Sequence, residues 1–239
     1  MSPLLADRAW PEVDGPPLVI PVGSLEQHGP HLPLDVDTVI ATAVARDLSA
    51  RWEGSVCAPA IALGASGEHQ GFPGTVSIGS EVLAAVVREV ARSASAWAGR
   101  IVFVSGHGGN APALAGAIPE LRADEERDVS WVPCAPDPRL GVADAHAGRL
   151  ETSILLHLDP ARVRTERAAP GRTEPIARLL PELRAGGVRA ASPNGVLGDP
   201  TGASAAEGAE LLRSMRDRAW ERVRSGLVRS DGMCAPTGE

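Results

Sequence analysis

Lysine and tyrosine are absent from this 239-residue chain, phenylalanine occurs twice and cysteine three times. All 23 basic residues are therefore arginine, set against 30 acidic ones for a formal charge of −7. So few aromatic rings, and no basic stripe, leave little for base stacking or phosphate neutralisation, which argues against a nucleic-acid partner. Cys57, Cys134 and Cys234 are odd in number and far apart, without a C-x-x-C, which argues against a disulfide framework or a thiolate zinc site. No apolar run approaches the ~20 residues of a membrane span, and residues 1–17 carry charges and Trp-Pro and Gly-Pro breaks in place of a signal peptide's apolar stretch. The expectation is a cytoplasmic protein with no membrane partner.

The 44% hydrophobic and 22% charged residues are ordinary for a soluble globular chain, and the length suffices for a substantial core. Apolar segments alternate in type. Strands are expected at 18–22, 56–63, 100–105 and 128–133. Helices are expected at 38–52, 80–97 with Ser80 as cap, 111–122, 149–157 and 203–227. Residues 159–192 are rich in Arg, Pro and Gly and weakly patterned, and residues 229–239 read as a frayed tail. Strand–loop–helix repetition predicts an α/β fold with a mostly parallel sheet. Such sheets deliver the loops that follow their strands to one edge, where ligands bind.

The chain is organised around Gly23-Ser24-Leu25-Glu26-Gln27-His28-Gly29-Pro30-His31-Leu32-Pro33-Leu34-Asp35-Val36-Asp37, directly after the first strand. Glu26 and His28 are two apart, so an extended chain points both to one face. A stretch this polar beside a core strand is costly to bury without a compensating charge, and a metal ion supplies one. Asp37 is equally suited to the first turn of the following helix. His31 and Asp35 read as packing or orienting residues. His107, in Ser105-Gly106-His107-Gly108-Gly109-Asn110, follows another strand and is a third contributor. The same turn contains G-x-G-x-x-A (Gly106, Gly108, Ala111), so a metal-free dinucleotide-binding module is a rival reading. It lacks a clear acidic residue about 20 positions on, where a ribose would need one. His146 precedes a helix and Glu151 lies in its first turn; the helix dipole alone favours an acid there, and the functional reading makes His146 a proton carrier and Glu151 a further ligand or catalytic base. His157 reads as structural, on an apolar helix face. Ser66 and His69 do not form a nucleophile elbow, since G-x-S-G here leads into a Phe-Pro-Gly turn.

PVGSLEQHGPHLPLDVD (residues 21–37), FPGT (72–75), SGHGGN (105–110) and HAGRLETS (146–153) together resemble, in content and order, the signature blocks of the creatininase (creatinine amidohydrolase) family. The resemblance implies a single three-layer domain over residues 1–228 and a hydrolase with two divalent transition-metal ions, Zn or Fe(II), with Mn an alternative. By position, Glu26 and His107 would hold one ion and His28 the other, with Asp37 bridging. Creatininases carry a glutamate ligand two residues after the matching histidine, where this chain has Gly109. That leaves the second ion short of a ligand, and Glu151 is the candidate replacement. His146 matches the family's proton-shuttling histidine, Ser66 matches a substrate-contacting serine, and His69 is expected beside the substrate. The block at residues 194–204 resembles a peptidase branch of the family. That branch would release the modified C-terminal Val-Tyr unit of a precursor peptide as a tyrosine-derived pyrrolidinone. The alternative substrate is a small cyclic amide or formamide. Homo-oligomers, often hexamers, are expected from the same resemblance.

Overall fold

Uninterrupted apolar runs at Leu18–Val22 (β1), Ile101–Ser105 (β3) and Val129–Pro133 (β4) form strands buried almost throughout in the computed structural model, which describes residues 3–142 and 144–238. Such runs suit the interior of a parallel sheet covered by helices on both faces. Together with Val56–Cys57 (β2) they make a sheet of order β2-β1-β3-β4 in which every pair is parallel. Register places Val22 opposite Ser105 and Ser105 opposite Pro133, so three strands end level. Their exit loops consequently open on one edge.

Alternation along the strands divides the core between two layers. Ile20, Val22, Phe103 and Trp131 pack with Leu83 and Val87 of Gly79–Ala94 (α2) and with Leu114 and Ile118 of Ala111–Ala123 (α3). Val19, Val102, Val104 and Val132 pack on the other side with Val36–Arg51 (α1), Arg149–Leu158 (α4) and Ala205–Ser225 (α6). The expected α/β architecture is present. Helices α4 and α6 touch at Gly208, where a Cβ would fall on the Ser153 carbonyl. An exposed mid-helix Gly→Ala change ordinarily gains ~1 kcal/mol. Gly208→Ala is expected instead to cost about 1–3 kcal/mol by forcing the two helices apart, read as a lower midpoint in urea unfolding at unchanged slope.

Several expected elements differ in detail. The second strand stops at Cys57, since Pro59 offers no N–H, and Ile61 returns only as an isolated bridge to Val22. Helix α2 starts at Gly79 behind Ile78 and ends at Ala94, with no side-chain cap from Ser80. Residues 159–192 contain a full helix, Ile176–Ala191 (α5). Its pattern is masked by Pro181 and by Gly187, whose φ of 69° and ψ of −172° kink it. Residues 228–235 are packed instead of frayed: Val228 bridges Cys234, Met233 bridges Trp131, and Cys234 is fully buried. His157 is exposed, because it falls on the outer side of α4. No helix among the described residues is long and apolar enough to cross a membrane.

Candidate active site

Loops from separate strands converge on one buried polar cluster. The loop after β1 brings Glu26 and His28, the first turn of α1 brings Asp37, the loop after β3 brings His107, and the entry to α4 brings His146 and Glu151. Glu26, His28, Asp37, His107 and His146 are all buried despite their polarity. Two small groups let the loops close. Gly106 runs so near the Asp37 carbonyl that a Cβ there would overlap it. Asn110 Nδ2 donates to the Gly23 carbonyl at 2.9 Å while its Oδ1 accepts from the Ala65 N–H at 2.9 Å, tying three loops together.

Asp37 stands between two imidazoles. Its Oδ1 lies 3.5 Å from His28 Nε2 and its Oδ2 3.5 Å from His107 Nδ1, and Oδ2 also accepts from the Ser24 hydroxyl. Glu26 Oε2 lies 3.3 Å from His107 Nε2, and Oε1 lies 3.3 Å from His69 Nε2 and 3.7 Å from His146 Nδ1. Glu151 Oε2 lies 3.9 Å from His28 Nε2 and accepts the Ala147 N–H at 2.6 Å. Donor atoms of Glu26, Asp37 and His107 lie within 4.8 Å of one another, and so do those of His28, Asp37 and Glu151. The two groups share Asp37. A third group of the same span joins Glu26, His28 and His146.

The cluster carries a deficit of positive charge. Both Glu26 oxygens, His28 Nε2 and His107 Nε2 are buried without a hydrogen-bond partner, a state that is costly unless a charged group compensates it. Burial and the charge of Asp37 push the Glu26 carboxyl up to about 7, although His107 and His28 pull it back. Burial by itself would lower His28, but Asp37 and Glu151 outweigh it and hold the ring up at about 10. His107 is likewise lifted against its burial, to about 9, by Glu68, Asp37 and Glu26. Asp37 stays well below the ordinary carboxylate range, because His28 and His107 overcome its burial. Protons on the imidazoles thus supply charge that divalent cations would supply better, and the mixed N/O donors suit Zn, Fe(II) or Mn. The residues present fit two such ions.

Gln27 and Glu68 were not singled out from the sequence. Strict alternation would turn Gln27 away from Glu26 and His28, yet the loop is irregular and its side chain enters the cluster. Gln27 Nε2 donates to the Gly195 carbonyl and to His69 Nδ1, each at 3.0 Å. Its backbone carbonyl accepts from His146 Nε2 at 2.7 Å. A carbonyl can only accept, so His146 Nε2 carries the proton, and its 3.0 Å approach to Gln27 Nε2 is not a hydrogen bond. His146 therefore presents an unprotonated Nδ1, and His69 presents an N–H to Glu26. Burial, with His28 and His69 adding to it, holds His146 well below the ordinary histidine range, so the ring is neutral.

The remaining expected residues separate. His31 is buried with Nε2 2.9 Å from Thr152 Oγ1, next to Glu151. Asp35 does not reach the cluster; it precedes α1 and pairs at the surface with Arg162 at 2.5 Å. Ser66 is fully buried beside Glu26, and its hydroxyl has no hydrogen-bond partner there. His69 lines the cavity above the cluster. The turn carrying G-x-G-x-x-A is filled by His107 and Asn110, which are committed to the carboxylates and to neighbouring loops. A Cβ on Gly109 would fall against His107 Nε2. The cavity, about 830 Å³, has His69, His107, His146 and Glu151 on its floor and Ile176, Leu180, Leu183 and Val188 of α5 on its roof.

With this sheet and this cluster on it, the chain belongs to the creatininase (creatinine amidohydrolase) family, whose model matches residues 6–223. Within it, the mycofactocin precursor peptide peptidase of Mycobacterium tuberculosis is 54% identical over 227 residues, covering 91% of this chain and 88% of the relative. Among solved structures, a manganese creatininase superposes with a TM-score of 0.76 at 25% identity, covering 95% of this chain and 99% of the other. A zinc–zinc form of a creatininase variant gives 0.76 at 26% identity, covering 95% and 98%.

Proposed function

We propose that this creatininase-family hydrolase is a peptidase of the mycofactocin precursor peptide, cleaving off the modified C-terminal Val-Tyr unit. The observation that carries the reading is the pair of donor groups sharing Asp37 beneath an apolar roof, and the 54% identity to a peptidase of that name supports the choice of substrate. Glu26, Asp37 and His107 would hold one divalent ion, and His28, Asp37 and Glu151 the other. Bound there, such a pair supplies Lewis acidity and acidifies a water. The chain's own groups do the rest. His146 offers its bare Nδ1 to the proton that the attacking water sheds, with Nε2 held by the Gln27 carbonyl. It then delivers that proton to the departing nitrogen. Gln27 fixes the tautomers of both His146 and His69, so that no ring rotation precedes either transfer.

The roof suits the substrate. Ile176, Leu180 and Leu183 present aliphatic surface over the floor, and the volume is that of a small-ligand site, enough for a modified dipeptide unit. The rest of the peptide would leave through the mouth. Assembly into a homo-oligomer, a cytoplasmic location, and Zn or Fe(II) as the native ions belong to the same proposal. Incubation with the modified precursor peptide, and separately with creatinine and simple formamides, tests it by mass spectrometry. Release of the C-terminal unit is expected; turnover of the small amides alone would replace the peptidase reading with an amidohydrolase.

A further inference from the structure

The side of α5 that faces the cavity is a helical stripe. Ile176, Leu180, Leu183 and Arg184 stand at i, i+4, i+7 and i+8, the spacing that gathers side chains on one side of a helix, and all of them line the cavity. The first three are aliphatic. The last is a cation, the one guanidinium among the lining residues. Its place is fixed by the kink that follows, which brings Gly187 against the Glu68 backbone, where a Cβ would lie 2.6 Å from the Glu68 carbonyl oxygen. Gly187 has φ of 69°, which a side chain would also strain. The last turn of α5 before the kink, which carries Arg184, is thereby held beside the short turn Gly67–His69 on the lip of the cavity.

No group of the protein answers this charge. Arg184 is exposed and makes no hydrogen bond or ion pair with a described residue. Glu182, on the same helix, accepts from Arg172 at 3.0 Å. Glu68 Oε1, on the turn under the kink, faces His107 Nε2 at 3.4 Å and His69 Nε2 at 3.9 Å. On the floor, the carboxylates of Glu26, Asp37, Glu68 and Glu151 together carry the charge that two divalent ions offset. Arg184 is then surplus positive charge on the cavity wall. Its planar fork matches a carboxylate through two parallel hydrogen bonds.

We propose that Arg184 determines specificity by binding a carboxylate on the part of the peptide upstream of the cleaved Val-Tyr unit. This rests on the peptidase reading above. The cleaved unit lies beneath the aliphatic part of the stripe, and the chain that precedes it passes the guanidinium on its way out. That carboxylate has two sources: an acidic side chain of the peptide, or the terminal carboxylate that hydrolysis creates on the shortened portion.

The test is binding, read without turnover. The metal-loaded wild-type protein and Arg184→Gln are titrated by calorimetry with the precursor peptide shortened by its Val-Tyr unit. Arg184→Gln should bind it about three- to tenfold more weakly, between the worth of an exposed ion pair and that of a covered charge-assisted one. Its binding should also depend less on added salt, and Arg184→Lys should recover only part of the loss. The urea midpoint should stay where it is, because the side chain is paired with nothing in the free protein. Amidation of the peptide's terminus, and separately replacement of any Asp or Glu in it by Asn or Gln, identifies the source: the change that brings wild type down to the variant removed the carboxylate. Equal affinities of wild type and Arg184→Gln, or a difference that survives both changes made together, would overturn the assignment while leaving the peptidase reading in place. Failure of the wild-type protein to release the C-terminal unit from the modified precursor would overturn the peptidase reading and this assignment with it.

Discussion

Asp37→Asn is expected to abolish peptide cleavage and to lower the affinity for both ions together. The reason is geometric: one carboxylate oxygen faces His28 and the other faces His107, each at 3.5 Å, so this side chain alone belongs to both donor groups. Loss of a neighbour one layer beyond a metal already costs about 10–100-fold in affinity, and loss of the shared anion should cost at least that much at each ion. Asparagine keeps the shape and can still pair with Ser24, so the loop should close normally. Elemental analysis after dialysis, read beside turnover, is the measurement. A variant that retains two ions and full activity would remove Asp37 from the bridging position. Loss of only one ion would assign it to a single group.

His146→Ala should give the opposite pattern, with both ions kept and turnover lost. A positioned proton carrier typically contributes about 10²–10⁴-fold, and the decrease should fall on kcat with little change in KM. The competing role is ligation, because His146 Nδ1 is 3.7 Å from Glu26 Oε1 and shares a donor group with Glu26 and His28. Metal content separates the two. An ion lost from His146→Ala would make the residue a ligand, whereas two ions with a dead enzyme would make it the carrier. Burial, with His28 and His69, keeps the ring neutral and so leaves a nitrogen open to accept, although the same burial makes it a weaker base than an ordinary histidine.

The fold was legible where local pattern and tertiary context agree. β1, β3 and β4 are apolar throughout because helices cover both faces, and that pattern survives in the sequence. α5 was not legible. Proline and two adjacent glycines interrupt its period, and it packs on the small cluster of Leu179, Val188 and Leu197 instead of on the sheet. The end of the chain reads as polar and breaks early, yet Cys234 and Met233 attach it to the edge of β4 through backbone pairing that no side-chain pattern records.

The candidate site divides in the same way. Glu26, His28, Asp37 and His107 follow strands, and topology alone brings them together. Gln27 was hidden because the rule of alternate faces holds only for a regular strand, and the loop after β1 is not one.

The roof over the cavity has a consequence of its own. α5 is fastened by its own small apolar cluster, by the Arg189 guanidinium 5.4 Å above the Phe72 ring, and by an Arg189–Gly71 hydrogen bond of 2.7 Å. None of these attachments is a sheet contact. Selectivity and reactivity are therefore carried largely on separate pieces of chain, and exchanging residues 176–185 would redirect the enzyme among amide substrates while Gly187 keeps its fit against the turn that carries His69.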